Sequence, residues 1–195
     1  MDDIQYLTAP PQIADILDRT EKIGFSMASE PRIGSLLATL AASKPTGRLL
    51  ELGTGTGLST AWMLSGMAPD ARLTTVDTDP VAQGVARDAL GSDIRVDFVL
   101  ADGLTWLRSQ PAQSYDLIFA DAMPGKYEGL EHALRLVAEG GLYVIDDLMP
   151  QPNWPEGHAE KVEPMLQAIA KHPDFRITRL AWSSGIGIAT RIKAR

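Results

Sequence analysis

The chain has 195 residues, of which 45% are hydrophobic and 22% charged, and its formal net charge is -7. That length predicts one domain with a sizeable core. The negative charge argues against a general nucleic-acid binder, because neutralising phosphates requires clustered Lys and Arg. Zero cysteines exclude disulfides and thiolate metal sites. We expect no membrane span and no secretory leader, as in a cytoplasmic protein that acts on small molecules.

Short apolar runs alternate with helix-length amphipathic segments along the chain. In chain order, the predicted elements are helices over Pro11–Ile23 and Pro31–Ser43, a strand over Arg48–Leu52, a helix over Ser59–Met67, a strand over Leu73–Val76, a helix over Pro80–Leu90, strands over Arg95–Leu100 and Leu117–Ala120, a helix over Gly129–Glu139, a strand over Leu142–Ile145, a helix over Gly157–Lys171, and strands over Arg176–Trp182 and Ile186–Ile192. Gly91 and the pair Gly140-Gly141 are the expected helix terminators.

Strands that recur every twenty-odd residues with helices between them indicate parallel βαβ units. The last two strands are too close for a crossover helix, so they predict an antiparallel hairpin. The predicted fold is therefore α/β and doubly wound (Rossmann-like), with a mostly parallel seven-stranded sheet and helices on both faces. We expect residues 1–195 to form a single domain in which residues 1–30 are an N-terminal extension or cap.

Each of the first five predicted strands carries a carboxylate at or beside its C-terminal end. These acids are Glu51, Asp77, Asp102, Asp121, and Asp146 with Asp147. In open α/β sheets, ligands bind in the crevice beyond those strand ends. A single Asp there as often caps the next helix or turn, but like charges around one crevice destabilise it unless a cation compensates. The pattern therefore predicts a ligand or ion with positive charge.

A glycine-rich turn, Gly53-Thr54-Gly55-Thr56-Gly57, directly follows the first predicted strand. The dinucleotide fingerprint Gly-x-Gly-x-x-Gly would need a glycine where Leu58 stands, which argues against NAD or FAD. The preceding Glu51 would repel a pyrophosphate but suits an ammonium or sulfonium group. Asp77 ends the second strand at about the spacing of a ribose-binding acid in nucleoside-binding folds.

Several stretches together resemble a known family. They are LLELGTGTGLSTAWM, LTTVDTDP, VLADG, YDLIFADA, GGLYVIDD and SSGIGIATRI. The chain resembles the class I S-adenosylmethionine-dependent methyltransferases, and more narrowly the small metal-dependent enzymes of the catechol and caffeoyl-CoA O-methyltransferase group. The resemblance runs from about Met27 to the C-terminal hairpin. It implies S-adenosylmethionine as cofactor, and it favours a homodimer.

The resemblance also implies roles for individual positions in cofactor binding. Glu51, Gly53 and Gly55 would line the methionine end, and Ser59 would bind the carboxylate. Asp77 would take the ribose hydroxyls. Asp102 and Gly103 would lie against the adenine, and Met27 near the transferring methyl. The complete predicted cofactor set is Met27, Glu51, Gly53, Thr54, Gly55, Ser59, Asp77, Thr78, Asp102, Gly103 and Asp121.

Asp121, Asp146 and Asp147 would be metal ligands by the same resemblance. Oxygen-only ligands select hard cations such as Mg²⁺, Mn²⁺ or Ca²⁺, and such an ion would lower the pKa of a bound substrate hydroxyl. The group often has Asn where Asp147 stands. Its catalytic Lys usually lies three residues after the first metal Asp, where this chain has Pro124.

Lys126 comes two residues later, and the preceding Pro-Gly turn would bring it back over the site. Lys126 and Asp121 are therefore the predicted catalytic residues, although Lys126 is equally typical of an exposed loop. His158 is a candidate substitute base.

The leading hypothesis is an S-adenosylmethionine-dependent O-methyltransferase, assisted by a divalent metal, that acts on a small hydroxylated, catechol-like acceptor. One alternative keeps the cofactor without the metal and uses an N- or other O-acceptor. Another is a nucleoside-binding module that has lost catalysis. An NAD-dependent oxidoreductase is disfavoured by the glycine spacing.

Overall fold

The computed structural model describes residues 4–192. After a short 3-10 turn at Ile4–Tyr6, the helices are α1 (Ile13–Lys22), α2 (Pro31–Ala42), α3 (Leu58–Gly66), α4 (Pro80–Leu90), α5 (Gly103–Ser109), the single irregular turn α6 (Met123–Lys126), α7 (Leu130–Leu136) and α8 (Ala159–Lys171). The strands are β1 (Arg48–Leu52), β2 (Arg72–Asp77), β3 (Val96–Leu100), β4 (Tyr115–Ala120), β5 (Val137–Ile145), β6 (Phe175–Leu180) and β7 (Ile186–Arg191).

The described strands form one seven-stranded sheet in the order β3-β2-β1-β4-β5-β7-β6. The first five strands are parallel, while β7 pairs antiparallel with both β5 and β6. The predicted fold class is confirmed, including the C-terminal hairpin. The strand order reverses between β1 and β4, and such a switch point opens a crevice for ligands.

Backbone hydrogen bonds continue the sheet beyond the carboxyl ends of its parallel strands. The Gly53 N–H donates to Val76 O, and the Asp121 N–H donates to Leu52 O, each at 2.9 Å. The Asp146 N–H donates to Ala120 O at 3.3 Å. The sheet ladder itself therefore sets the strand-end acids side by side along one edge.

Hydrophobic residues from the helices cover both faces of the sheet. One core cluster joins strand residues to Ile16 of α1, Leu37 of α2 and Met63 of α3. The other joins them to Leu134 of α7 and Ile169 of α8. Burial on two faces explains why the central strands read as continuous apolar runs in the sequence. Within residues 4–192, no helix has the length and apolar character to cross a membrane.

The predicted terminator pair Gly140-Gly141 is wrong. The preceding helix ends at Leu136, and both glycines lie within β5. Tyr115 pairs with Val137, but Leu117 pairs with Leu142, so β5 bulges between these two points. Gly140 takes a φ of +74° in that bulge, where it provides the left-handed backbone. Helix α5 was not predicted, because its seven residues are too short to show helical periodicity.

Candidate functional site

A cavity of about 380 Å³ opens beyond β1, β2 and β4. We call it the glycine cavity, because the turn after β1 forms one of its walls. Eight of the eleven predicted cofactor residues line it, namely Met27, Gly53, Thr54, Gly55, Ser59, Asp77, Thr78 and Asp121. Its volume falls in the range of ligand pockets, roughly 300–1,000 Å³.

The turn itself depends on glycine. Gly53 and Gly55 have φ values of +101° and +50°, a region that L-residues rarely adopt. A Cβ at Gly53 would lie 2.7 Å from the backbone oxygen of Asp121. Asp77 fixes the turn from the neighbouring strand, since its Oδ2 accepts from the Gly55 N–H at 2.8 Å and its Oδ1 from the Asp79 N–H at 2.9 Å. The turn and Asp77 therefore form one rigid wall.

Asp102 and Gly103 do not line the glycine cavity. Gly103 lines an adjoining cleft of about 70 Å³, which shares Gly53 and Asp77 with that cavity. Asp102 is exposed and caps α5, accepting a hydrogen bond from the Thr105 N–H at 2.7 Å. This hydrogen bond lowers the pKa of Asp102. Its carboxylate is thus already used as a helix cap.

Glu51 lies behind the cavity wall instead of in it. Its side chain is fully buried and accepts hydrogen bonds from Ser59 Oγ at 2.6 Å, Thr60 Oγ1 at 2.5 Å and Thr75 Oγ1 at 2.6 Å. Burial raises the pKa of Glu51 to about 7, although these hydroxyl donors oppose the shift. Glu51 does not line the glycine cavity, but it is linked to it through Ser59, and through Thr75, whose hydroxyl lies 2.6 Å from that of the lining residue Thr54. Its position indicates support of the wall rather than direct ligand contact.

A second cavity of about 470 Å³ adjoins the first, and we call it the acidic cavity. Asp121, Asp146 and Asp147 all line it, together with Lys126 and His158. The two cavities share the residues 27–29 and 121–123. A ligand in one would therefore meet a ligand in the other beside Met27 and Asp121.

Three aromatic rings form one wall of the acidic cavity, and we call this set the aromatic wall: Tyr127, Trp154 and His158. The rings of Trp154 and His158 have centroids 4.4 Å apart and planes tilted by 31°, and Tyr127 meets His158 edge-on at 5.1 Å. Tyr127 Oη lies 3.2 Å from His158 Nε2, within hydrogen-bond distance. Burial is the main cause that lowers the pKa of His158 below its ordinary 6.5, with help from Lys126 and Lys161. His158 is therefore neutral at pH 7.

The sequence over residues 50–148, which carries the glycine turn and the strand-end acids, matches a family described as a methyltransferase domain. The chain belongs to this methyltransferase family. This membership confirms the resemblance found in the sequence motifs. It also agrees with the glycine spacing, which departs from that of a dinucleotide site.

Several proteins similar to this chain are named as O-methyltransferases. A protein of Mycolicibacterium vanbaalenii named as a candidate O-methyltransferase is 35% identical over 143 residues, which make up 68% of this chain and 61% of that protein. This methyltransferase therefore spans about three fifths of that relative's length. A candidate O-methyltransferase from Klebsiella pneumoniae has a crystal structure that matches with 26% identity and a TM-score of 0.83, covering 98% of this chain and 94% of that one. The O-methyltransferase TomG of Streptomyces achromogenes, solved with S-adenosylmethionine, shares the fold at 22% identity and a TM-score of 0.83, with 98% and 94% covered.

The predicted metal triad lines one cavity but does not form a metal centre. Among residues 4–192, no three His, Cys, Asp or Glu side chains are grouped so that they could hold a metal ion. Both carboxylate oxygens of Asp121 already accept hydrogen bonds. Lys126 Nζ donates to Oδ1 at 3.5 Å, and Ser29 Oγ donates to Oδ2 at 3.3 Å. Hydrogen-bond donors of the chain thus already occupy the carboxylate of Asp121, which would be the first metal ligand. The side chains present at this place do not fit a divalent ion.

Asp146 is engaged in the same way. Its Oδ1 accepts from the Asp147 N–H at 2.7 Å and also from Ser184 Oγ. Burial raises the pKa of Asp146, and the neighbouring Asp121 adds to the shift. Asp147 has a φ of +54°, a left-handed conformation in which Asn and Asp are the best tolerated side-chain-bearing residues.

Sequence reasoning missed Ser29 and Ser184, the two hydroxyls that bind these acids. Ser29 precedes α2 and stands in none of the quoted motifs. Ser184 stands in the stretch SSGIGIATRI, but it lies in the hairpin turn, and that resemblance assigned no role to it. Lys126, in contrast, was singled out by the Pro124-Gly125 turn. That turn does bring it inward, because Lys126 is only 3% exposed.

The buried Glu51 predicts a specific pH dependence of stability. Its pKa is about 7 in the folded chain against an ordinary 4.5, so the folded state holds the proton more tightly. Stability should therefore fall as pH rises from 4.5 to 7, by up to about 3 kcal/mol. We expect Glu51→Gln to lack this part of the fall, as measured by urea unfolding between pH 4.5 and 8.

The exposed Glu139→Gln provides the control, because this side chain lies at the surface of β5. Its unfolding profile should follow that of the unmodified chain. Identical pH profiles for Glu51→Gln and the unmodified chain would contradict the assignment.

Proposed function

We propose that this methyltransferase transfers the methyl group of S-adenosylmethionine to a hydroxyl oxygen of a small aromatic, catechol-like acceptor. The observation that carries the proposal is the meeting of the two cavities at Met27 and Asp121. The cofactor would occupy the glycine cavity and the acceptor the acidic cavity. Methyl transfer requires such an arrangement, because the acceptor oxygen must approach the methyl carbon in line with the breaking bond.

The glycine cavity suits a cationic nucleoside. The turn at Gly53 and Gly55 allows close approach of backbone to ligand, while Asp77 and Thr78 supply polar groups at the end of β2. Asp121 places a carboxylate where the two cavities join, next to the expected position of the sulfonium. A pyrophosphate would meet that same carboxylate and be repelled.

The acidic cavity suits an aromatic acceptor. The aromatic wall offers ring faces and edges for stacking, and offset or edge-on aromatic pairs contribute roughly 0.5–1.5 kcal/mol beyond burial. The Asn153 side chain donates to Ser26 O at 3.3 Å, which ties the loop carrying Trp154 to the segment carrying Met27. The loop and the N-terminal segment thus close over the same small volume.

The chemistry needs a deprotonated oxygen and a leaving thioether. The acceptor O–H bond breaks, its oxygen attacks the methyl carbon, and the S–CH₃ bond releases its electron pair to sulfur. The products are the methyl ether, S-adenosylhomocysteine and one proton. Neutral His158 can accept that proton through Tyr127, because Tyr127 Oη and His158 Nε2 lie 3.2 Å apart. The Lys126 ammonium stabilises the developing negative charge on oxygen.

Calorimetry with S-adenosylmethionine and with NAD tests the cofactor, and methyl transfer to catechols, hydroxycinnamoyl esters and flavonoids tests the acceptor. We expect saturable binding of S-adenosylmethionine alone and transfer to at least one phenolic class. Binding without transfer to any hydroxyl or amine acceptor would instead favour a nucleoside-binding module. Transfer to amines only would establish an N-methyltransferase.

His158 provides a separate prediction. We expect His158→Gln to lower kcat about 100-fold, within the range for loss of a general base, and to leave the affinity for S-adenosylmethionine unchanged. Because burial lowers the pKa of His158 below its ordinary 6.5, kcat of the unmodified chain should stay level above pH 6.5 and fall only along an acid limb at lower pH. His132→Gln on α7 is the matched control and should keep both kcat and the acid limb. An acid limb that persists unchanged in His158→Gln would assign the base elsewhere.

Three further properties remain predictions that these proposals carry with them. They are a homodimer, a cytoplasmic location and a single domain over residues 1–195, of which the six outermost residues lie outside the described part. Size-exclusion chromatography with light scattering tests the first.

A further inference from the structure

A built turn carries Lys126 into the acidic cavity. Pro124 and Gly125 leave helical geometry, with Gly125 at a φ of +92°. The Gly125 carbonyl accepts from Tyr143 Oη at 2.6 Å, and its N–H donates to Glu128 O at 2.8 Å. This φ favours glycine, and a Cβ at Gly125 would also lie 2.5 Å from Leu52 Cδ1, so a larger residue would have to displace the Leu52 side chain. These contacts hold the following lysine inward, at 3% exposure.

Lys126 faces the carboxylates that the family resemblance assigns to a metal. Its Nζ pairs with Asp121 Oδ1 at 3.5 Å, and the side chains of this pair are 4% and 14% exposed. Asp146 and Asp147 line the same cavity. Among residues 4–192, Lys126 is the only lysine or arginine that lines this cavity. Its ammonium therefore supplies positive charge at the place where a divalent ion would be needed.

We propose that Lys126 is a built-in cation that replaces the divalent metal in this methyltransferase. The catalytic role in this inference rests on the proposed function. The argument that Lys126 replaces the charge of a metal rests only on its ion pair with Asp121. A metal on Asp121 would have to displace the ammonium or lie beside it, and like charges at such short range repel strongly. Charge balance also improves when the cofactor binds, because the sulfonium brings a second positive charge to the junction of the cavities.

The proposal changes the class of acceptor. A metal that chelates two neighbouring oxygens favours vicinal diols, whereas an ammonium stabilises a single oxyanion. The chain should therefore accept phenols with one hydroxyl as readily as catechols. Ser29 and Ser184 assist, because their hydroxyls satisfy the carboxylates that a metal would otherwise bind.

Manganese binding, measured by electron paramagnetic resonance on the full chain, tests the charge replacement without any turnover. We expect no saturable Mn²⁺ binding below about 1 mM, the weak end of protein divalent sites. Lys126→Met removes the ammonium at similar volume and should create a Mn²⁺ site at least about tenfold tighter. The double variant Lys126→Met, Asp146→Asn should lose that gain, and Lys126→Arg should still exclude the ion. Circular dichroism confirms that each variant is folded.

Tight Mn²⁺ binding by the unmodified chain, unimproved by Lys126→Met, would overturn the proposal. So would methyl transfer that EDTA abolishes and Mg²⁺ restores. We expect instead that EDTA leaves transfer to guaiacol and catechol unchanged. If no phenol is methylated at all, the proposed function fails, while the Mn²⁺ measurement still decides the role of Lys126.

Discussion

Replacing Lys126 by Ala is expected to lower kcat about 100- to 1,000-fold, the loss typical when one group that stabilises a developing oxyanion is removed. The ammonium lies within the acidic cavity and against Asp121, so its loss leaves the acceptor oxyanion without the cationic side chain that lines this cavity. Affinity for S-adenosylmethionine should change little, because Lys126 does not line the glycine cavity. Stopped assays with EDTA present measure kcat, and calorimetry measures cofactor binding.

Lys22→Ala is the matched control, because Lys22 on α1 is 68% exposed and pairs only with Asp18 at the surface among the described contacts. It should leave kcat unchanged. Lys126→Arg keeps the charge and should recover part of the lost activity. An unchanged kcat in Lys126→Ala would make this lysine a structural partner of Asp121 only.

Gly53→Ala should weaken cofactor binding and strongly destabilise the fold. Alanine would hold a φ of +101° at a cost, and its Cβ would lie 2.7 Å from the Asp121 carbonyl oxygen. Sheet hydrogen bonds fix the backbone at both Gly53 and Asp121, so neither segment can move away without losing them. We expect a loss of at least about 3 kcal/mol in the free energy of unfolding. In folded material, binding of S-adenosylmethionine should weaken at least about tenfold.

Gly84→Ala provides the control within the same chain. Gly84 lies inside α4, where a Cβ would meet nothing within 4 Å. Alanine should therefore stabilise the chain by roughly 0.5–1 kcal/mol, through its better helix propensity. Urea unfolding measures the expected loss of stability in Gly53→Ala and the expected gain in Gly84→Ala. Equal stability of Gly53→Ala and the unmodified chain would refute the close approach of the turn to Asp121.

Local signals predicted the sheet well. The strand Arg48–Leu52 and the helix Pro80–Leu90 have the predicted bounds, because each is an apolar run or amphipathic segment with clear stop residues. The glycine pair after α7 was misread, since a left-handed glycine ends a helix and shapes a bulge equally well. Choosing between these requires knowing that Val137 pairs with Tyr115 across the sheet.

The glycine cavity was largely predicted because its residues follow strand ends, and a parallel sheet sets all such ends at one edge. Glu51 departs from this rule. Its side chain does not line the cavity. It is buried instead, where the hydroxyls of Ser59, Thr60 and Thr75 donate hydrogen bonds to it. Those partners are up to 24 positions away in the chain, so no local pattern indicates them.

By itself, the sequence determined the parallel sheet, the glycine turn and the row of acids beyond the strands. These depend on periodicity and spacing within a few residues. Only the tertiary structure decided what neutralises those acids. Lys126 returns to Asp121 because Tyr143 and Leu52 shape the turn before it, and Ser184 reaches Asp146 across 38 positions. Charge pairing in a buried cavity depends on distances of a few ångströms, and folding alone sets them.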